Sequence, residues 1–151
     1  MKGSIIFALF LLCFVTQSFA QRDEETAVKK AVNNLFEGMK TGDSILTGAA
    51  FAKSAVMHTI VEKDGKARVR TESVSDFVKF IGTPHQEKYD ERIVFTKILI
   101  DGPLASVWTD YTFYLGEKFS HCGVNSFQLV NGDRGWQIVY IIDTRRKTGC
   151  N

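Results

Sequence analysis

Apolar residues Ala27, Val28, Ala31, Val32, Leu35, Phe36 and Met39 recur at steps of three and four, which predicts a helix over Asp23–Lys40 with one buried face. Asp23, Glu24 and Glu25 suit its N-terminal end, where carboxylates complement the helix dipole. Gly42 offers a stop, and Asp43 or Ser44 a cap for a short second helix to Ala50. The period then changes. Ala55–Val61 and Ala67–Thr71 alternate around the turn signal Lys63-Asp64-Gly65-Lys66, predicting a hairpin. Ser73 to Asp76 offers a cap for a helix over Val74–Ile81, ended by Gly82 and Pro84.

Four long β runs follow, Arg92–Ile100, Ala105–Leu115, Lys118–Val130 and Trp136–Thr144. Asp101-Gly102-Pro103, Gly116-Glu117 and Asn131-Gly132-Asp133-Arg134-Gly135 punctuate them. This is an antiparallel meander. Both faces carry large apolar groups, so one face must meet helices and the other a ligand, more helix or a second subunit.

The order of elements resembles the nuclear transport factor 2-like superfamily, which includes SnoaL-like and ketosteroid isomerase-like proteins. Three segments carry a sharper resemblance to its putative lumazine-binding group of small secreted bacterial proteins: 108–114 (Trp-Thr-Asp-Tyr-Thr-Phe-Tyr), 120–127 (Ser-His-Cys-Gly-Val-Asn-Ser-Phe) and 135–146 (Gly-Trp-Gln-Ile-Val-Tyr-Ile-Ile-Asp-Thr-Arg-Arg). The resemblance implies an α+β cone: N-terminal helices packed on a strongly bent antiparallel sheet that encloses a pocket. It also implies frequent homodimers through the outer sheet face. The superfamily mixes enzymes with non-catalytic binders and shares no catalytic motif, so no residue role transfers by position.

Export enters through the first twenty residues. Lys2, the apolar run Ile5–Val15 and Ser18-Phe19-Ala20 read as a secretory signal peptide, leaving 21–151 as one domain in the periplasm or medium. The apolar run is shorter than the roughly 20 residues of a membrane span, so no membrane association is expected after cleavage. Without Lys2, the 19 basic side chains become 18 against 17 acidic ones, with no clustered basic face for nucleic acid. Cleavage also removes Cys13, leaving Cys122 and Cys150, which could pair in an oxidising compartment. No metal-ligand spacing is present, and no cofactor is expected.

Loop lengths suggest a polar constellation. If Gly116-Glu117 is a two-residue turn, Trp108 faces Asn125, Asp110 faces Gly123, Thr112 faces His121 and Tyr114 faces Phe119, all on one side. If Asn131 to Gly135 is a five-residue loop, Asp143 also faces Gly123. Asp110 and Asp143 would then flank a ligand gap over Gly123, about 10 Å apart across three strands, with His121 diagonal to both. Trp108, Tyr114 and Phe127 would form walls, with His58 at the mouth.

Three functions fit this reading. One is a binder of a small, partly apolar molecule, with Trp108, Tyr114, Asn125, Phe127 and His58 as ligand contacts. The second is an isomerase or dehydratase using Asp110, His121 and Asp143 as acid–base groups. The third is a dimeric scaffold without ligand. Asp143 beside Arg145 and Arg146 also reads as an ion-paired strand end, and His121 as a hydrogen-bonded core histidine.

Overall fold

A computed structural model of the chain describes residues 3–150, with side chains for 21–150 apart from Lys63. The segment 1–20 read as a signal peptide lies outside those side chains. The first helix, α1 (Gly3–Thr41), begins well before Asp23, so the acidic run sits inside the helix. Its predicted apolar stripe is the buried one: Val28, Val32, Leu35, Phe36 and Met39 are all at most 7% exposed. After Gly42, at φ 71°, α2 (Ser44–Ala49) is capped by Asp43, whose carboxylate accepts from Ile45 N and Leu46 N, both at 2.9 Å.

Next, β1 (Phe51–Lys63) and β2 (Lys66–Glu72) form the hairpin, with Asp64 and Gly65 at φ 55° and 68° as its two-residue turn. Helix α3 (Val74–Ile81) matches the predicted span, and Ser73 Oγ accepts from Asp76 N. The strands β3 (Tyr89–Asp101), β4 (Leu104–Leu115), β5 (Lys118–Gly132) and β6 (Gly135–Thr144) complete a curved, unclosed α+β sheet in the order β2-β1-β6-β5-β4-β3.

The expected antiparallel pairing holds for the meander and the hairpin, but β1 and β6 pair in parallel, so the sheet is mixed. No turn joins those two strands, and their direction therefore left no local signal. The inner sheet face meets α1: Val107, Phe127, Leu129 and Ile138 pack beneath Val32, Leu35 and Phe36, with the rings of Phe36 and Phe127 edge to face at 6.2 Å.

Bulges decide which residues share that face. Ser120 is an extra residue in β5, since Tyr114 pairs with Phe119 but Phe113 pairs with His121. Val139 is extra in β6, between Leu129↔Ile138 and Gln128↔Tyr140. The expected five-residue loop is instead a two-residue turn at Asp133 and Arg134, with Gly132 paired to Gly135. Each one-residue slip exchanges the two faces of a strand relative to its partner. The register expected from loop lengths is corrected accordingly: Asn125 lies opposite Thr109, Gly123 opposite Tyr111, and Asp143 opposite Asn125.

Behind the sheet, Cys122 and Cys150 are joined by a disulfide, with Cα atoms 5.8 Å apart. Arg146 also exchanges two backbone hydrogen bonds of 2.9 Å with Cys122, so the tail is tied to β5 twice. The bridge closes a loop with a sequence separation of 28 residues. A Cys150→Ser variant is expected to unfold about 3 kcal/mol more easily than the oxidised parent. Urea melts with and without reductant check this, and both proteins should give the same midpoint once reduced.

Candidate functional site

On the inner face, three polar or aromatic rows lie across the sheet. Glu91, Phe113 and His121 form one; Ile93, Tyr111 and Gly123 the next; Thr109, Asn125, Asp143 and Thr59 the third. Alternation puts every second residue of each strand on this face, so these rows are consequences of the bulged register. Glu91 spans the rows: Asn125 Nδ2 donates to its Oε1 at 2.8 Å. The hydroxyls of Thr59 and Thr109, buried at either end of the third row, have no hydrogen-bond partner among the described residues.

The space over Gly123 is not a ligand gap. A Cβ there would lie 1.8 Å from the Thr144 carbonyl oxygen and 2.7 Å from the Tyr111 ring. Glycine is required for that close approach. The chain leaving β6 stays paired alongside β5, from Asn125↔Asp143 to Cys122↔Arg146, with the Thr144 carbonyl tipped over Gly123; Tyr111 Oη donates to Thr144 O at 2.8 Å, with Asp143 Oδ2 3.4 Å away. Arg145 Nε donates to Asp143 Oδ2 at 2.9 Å, so Asp143 is an ion-paired carboxylate. That pairing brings Asp143 and Arg145 to the same end of the cone as Glu91 and His121.

A cleft of about 510 Å³ opens between α3 and the sheet at this end. Its walls are Phe77, Phe80, Ile81, Tyr89 and Phe113, and its polar lining is Glu72, Ser73, Asp76, Glu91, His121 and Arg145. It continues into a chamber of about 90 Å³ that reaches Tyr111, Asn125 and Asp143 beneath α1. Tyr89 anchors the aromatic side, with its ring 5.2 Å from Phe80 and 4.2 Å from His85, centroid to centroid. Apolar walls with a few convergent polar groups are the usual make-up of a small-molecule site.

Burial shapes the electrostatics. It pushes the Glu91 carboxyl up to about 7, with the Asn125 hydrogen bond working against the rise and the Asp143 charge adding to it. His121 is shifted the other way: burial, and then the Arg145 charge, hold it below its ordinary value, and it is neutral at pH 7. The Tyr111 hydroxyl is raised, mainly by burial, and stays a donor. Ser120 Oγ lies 3.0 Å from His121 Nδ1, orienting the ring.

Of the residues expected in the site, His121, Asn125 and Asp143 come together on the inner face. Asp110 does not: it pairs with Val94 and Val124 on the outer face, opposite in direction to Tyr111, because of the bulge at Ser120. Trp108 follows it outward and is 49% exposed. Tyr114 is also outer, with the Arg92 guanidinium 4.3 Å over its ring. His58 lies on the outer face too, 3.0 Å from Tyr140 Oη. Phe127 is inner but fully buried against Phe36, part of the core and not of the cleft wall.

Glu91, Tyr111, Arg145 and the walls Phe77, Tyr89 and Phe113 were not expected there. Glu91 did carry a signal, since it falls in phase with Tyr89, Ile93 and Phe95, a carboxylate in the apolar register of its strand.

Known proteins with this architecture are diverse in sequence. An NTF2-like protein of unknown function from Shewanella baltica superposes with a TM-score of 0.65 at 20% identity, covering 83% of this chain and 96% of that one. An NTF2-like protein with a cystatin-like fold from Novosphingobium aromaticivorans gives 0.70 at 6% identity, with 89% and 90% covered. A domain of unknown function with a cystatin-like fold from Nostoc punctiforme gives 0.64 at 17%, with 84% and 80% covered. Comparison with curated proteins gives no match. At these identities the structures speak for the fold alone. The sequence family described as putative lumazine-binding matches residues 23–141, most of the chain. With that match and this fold, the chain belongs to the putative lumazine-binding family of the nuclear transport factor 2-like superfamily.

Proposed function

We propose that this is an exported binding protein that holds a small, partly apolar molecule in the cleft beneath α3. The observation that carries the reading is the joining of an aromatic-walled cleft to a chamber whose end groups are Glu91, His121, Asn125 and Asp143. The family description points the same way, toward a flat heteroaromatic ligand. Export rests on the N-terminal segment. Native mass spectrometry of protein purified gently from its own compartment tests both points. A chain starting at Gln21 and carrying a co-purifying molecule is the expected result; an intact N-terminus with an empty cleft counts against it.

A homodimer through the outer sheet face is part of the proposal. Val94, Leu99 and Trp108 are 64%, 56% and 49% exposed there, an apolar surface that a second copy would cover. Trp108→Glu is expected to weaken self-association at least ten-fold in sedimentation equilibrium, since it places a charge at the centre of the contact.

One observation favours a second reading, an isomerase or dehydratase. Glu91, titrating near neutrality in a cleft that a neutral His121 also lines, is suited to pass a proton to and from a bound carbonyl compound. Asp110 cannot take part from the outer face. With a substrate in hand, Glu91→Gln losing turnover while retaining binding would favour the enzyme.

A further inference from the structure

The charges lining the cleft and its chamber are unbalanced. Glu72, Asp76, Glu91 and Asp143 face one guanidinium, that of Arg145. Two of the four carboxylates are already matched: Asp143 by Arg145, and Glu72 by Arg70, whose Nε is 3.1 Å from Glu72 Oε1. Asp76, at the first turn of α3, has no ion pair among the described residues, and neither has Glu91.

Glu91 is the important one, because it sits at the inner end, where a charge is least screened. Asn125 donates to its Oε1, which leaves Oε2 to face an occupant. The cleft and chamber around the carboxyl are lined by Tyr111 from β4, His121 and Asn125 from β5, Asp143 and Arg145 at the end of β6, Glu72 from β2 and Asp76 from α3, while α1 contributes Leu35, Phe36 and Met39. The rings of Phe77, Phe80, Tyr89 and Phe113 line the way in, and aromatic faces attract cations.

Taking the small-molecule reading as its basis, we infer that the occupant is a small organic cation, a primary amine or protonated nitrogen heterocycle. Its N–H group lies at Glu91 Oε2 and its apolar body lies against these four rings. An anionic ligand is disfavoured, since Arg145 is engaged by Asp143 and the remaining lining charges would repel it. Binding and protonation are linked: the cation requires ionised Glu91, so its affinity rises with pH through about 7. A neutral carbonyl ligand, which would accept from protonated Glu91, shows the opposite trend.

Three nearly isosteric probes separate these cases by calorimetry: 2-phenylethylamine, 2-phenylethanol and phenylacetate. At pH 8 the amine is expected to bind at least ten-fold more tightly than the alcohol, with phenylacetate weakest. From pH 8 to pH 6 amine affinity should fall about ten-fold, following the ionised fraction of Glu91. Glu91→Gln should remove that pH dependence and bring amine and alcohol level. An alcohol or carboxylate binding as tightly as the amine at pH 8 overturns the cation assignment while leaving the small-molecule reading in place. Failure of all three probes to bind refutes both.

Discussion

Gly123→Ala is expected to destabilise the protein by roughly 2–4 kcal/mol and to dismantle the polar end of the cleft. The added methyl would stand where the Thr144 carbonyl oxygen now sits, 1.8 Å away, and against the Tyr111 ring. Backbone cannot yield as a flexible side chain can, so the end of β6 must lift from β5. Tyr111 then loses its acceptor on Thr144, and Arg145 and Asp143 leave their places beside the chamber. Urea unfolding reads the stability loss. Gly132→Ala is the control, because nothing lies within 4 Å of its added methyl, and it should stay within about 0.5 kcal/mol of the parent. Equal effects from the two substitutions would mean that the approach of the Thr144 carbonyl to Gly123 is not tight.

The second large effect is a reversal of the usual pH behaviour of a carboxylate. Glu91 has its folded-state value raised from 4.5 to about 7, so the folded chain binds the proton more tightly than the unfolded one. Its contribution to stability is fully present below about 4.5 and is lost as pH rises through about 7, by roughly 3–4 kcal/mol at about 1.4 kcal/mol per unit. Glu91→Gln keeps an acceptor for Asn125 but carries no charge, and should therefore be the more stable protein at pH 8 by about that amount. At pH 4 the two should be nearly equal. His121 works in the opposite direction, since its lowered value makes stability rise with pH through the ordinary histidine range. The difference between variant and parent cancels that contribution. A variant no more stable than the parent at pH 8 would show that Glu91 is not buried in an uncompensated state.

Much of the fold could be read from the chain because local chemistry determined it. The α1 stripe, the Asp43 and Ser73 caps, and the Asp64-Gly65 turn each depend on residues within one turn of helix or hairpin. Strand direction between β1 and β6 depends on a contact between residues some eighty positions apart, with no turn to announce it. The site was legible in part. His121, Asn125 and Asp143 were found because polar residues amid β-branched ones draw attention, and they fell together even though the register used to place them was wrong.

Asp110, Trp108 and Tyr114 were misplaced by a single residue, Ser120, whose bulge turns their strand over relative to β5. Nothing at Ser120 marks a bulge in the way that glycine marks a turn. The missing carboxylate, Glu91, lay just before the expected run Arg92–Ile100, whose strand in fact begins at Tyr89, and Arg145 reaches the cleft where the Thr144 carbonyl packs over Gly123. A residue without a side chain was read as room for a ligand, when it is room for another part of the backbone.

In the proposed function the occupant lies between α3 and the inner sheet face and not on the apolar outer face. Amide shifts of the ¹⁵N-labelled protein during titration with 2-phenylethanol test this most directly. Saturable shifts are expected at Phe77, Tyr89, Glu91, Phe113 and His121, with the amides around Lys97, Trp108 and Ser126 unchanged. Shifts centred on Trp108, with the cleft residues silent, would contradict it.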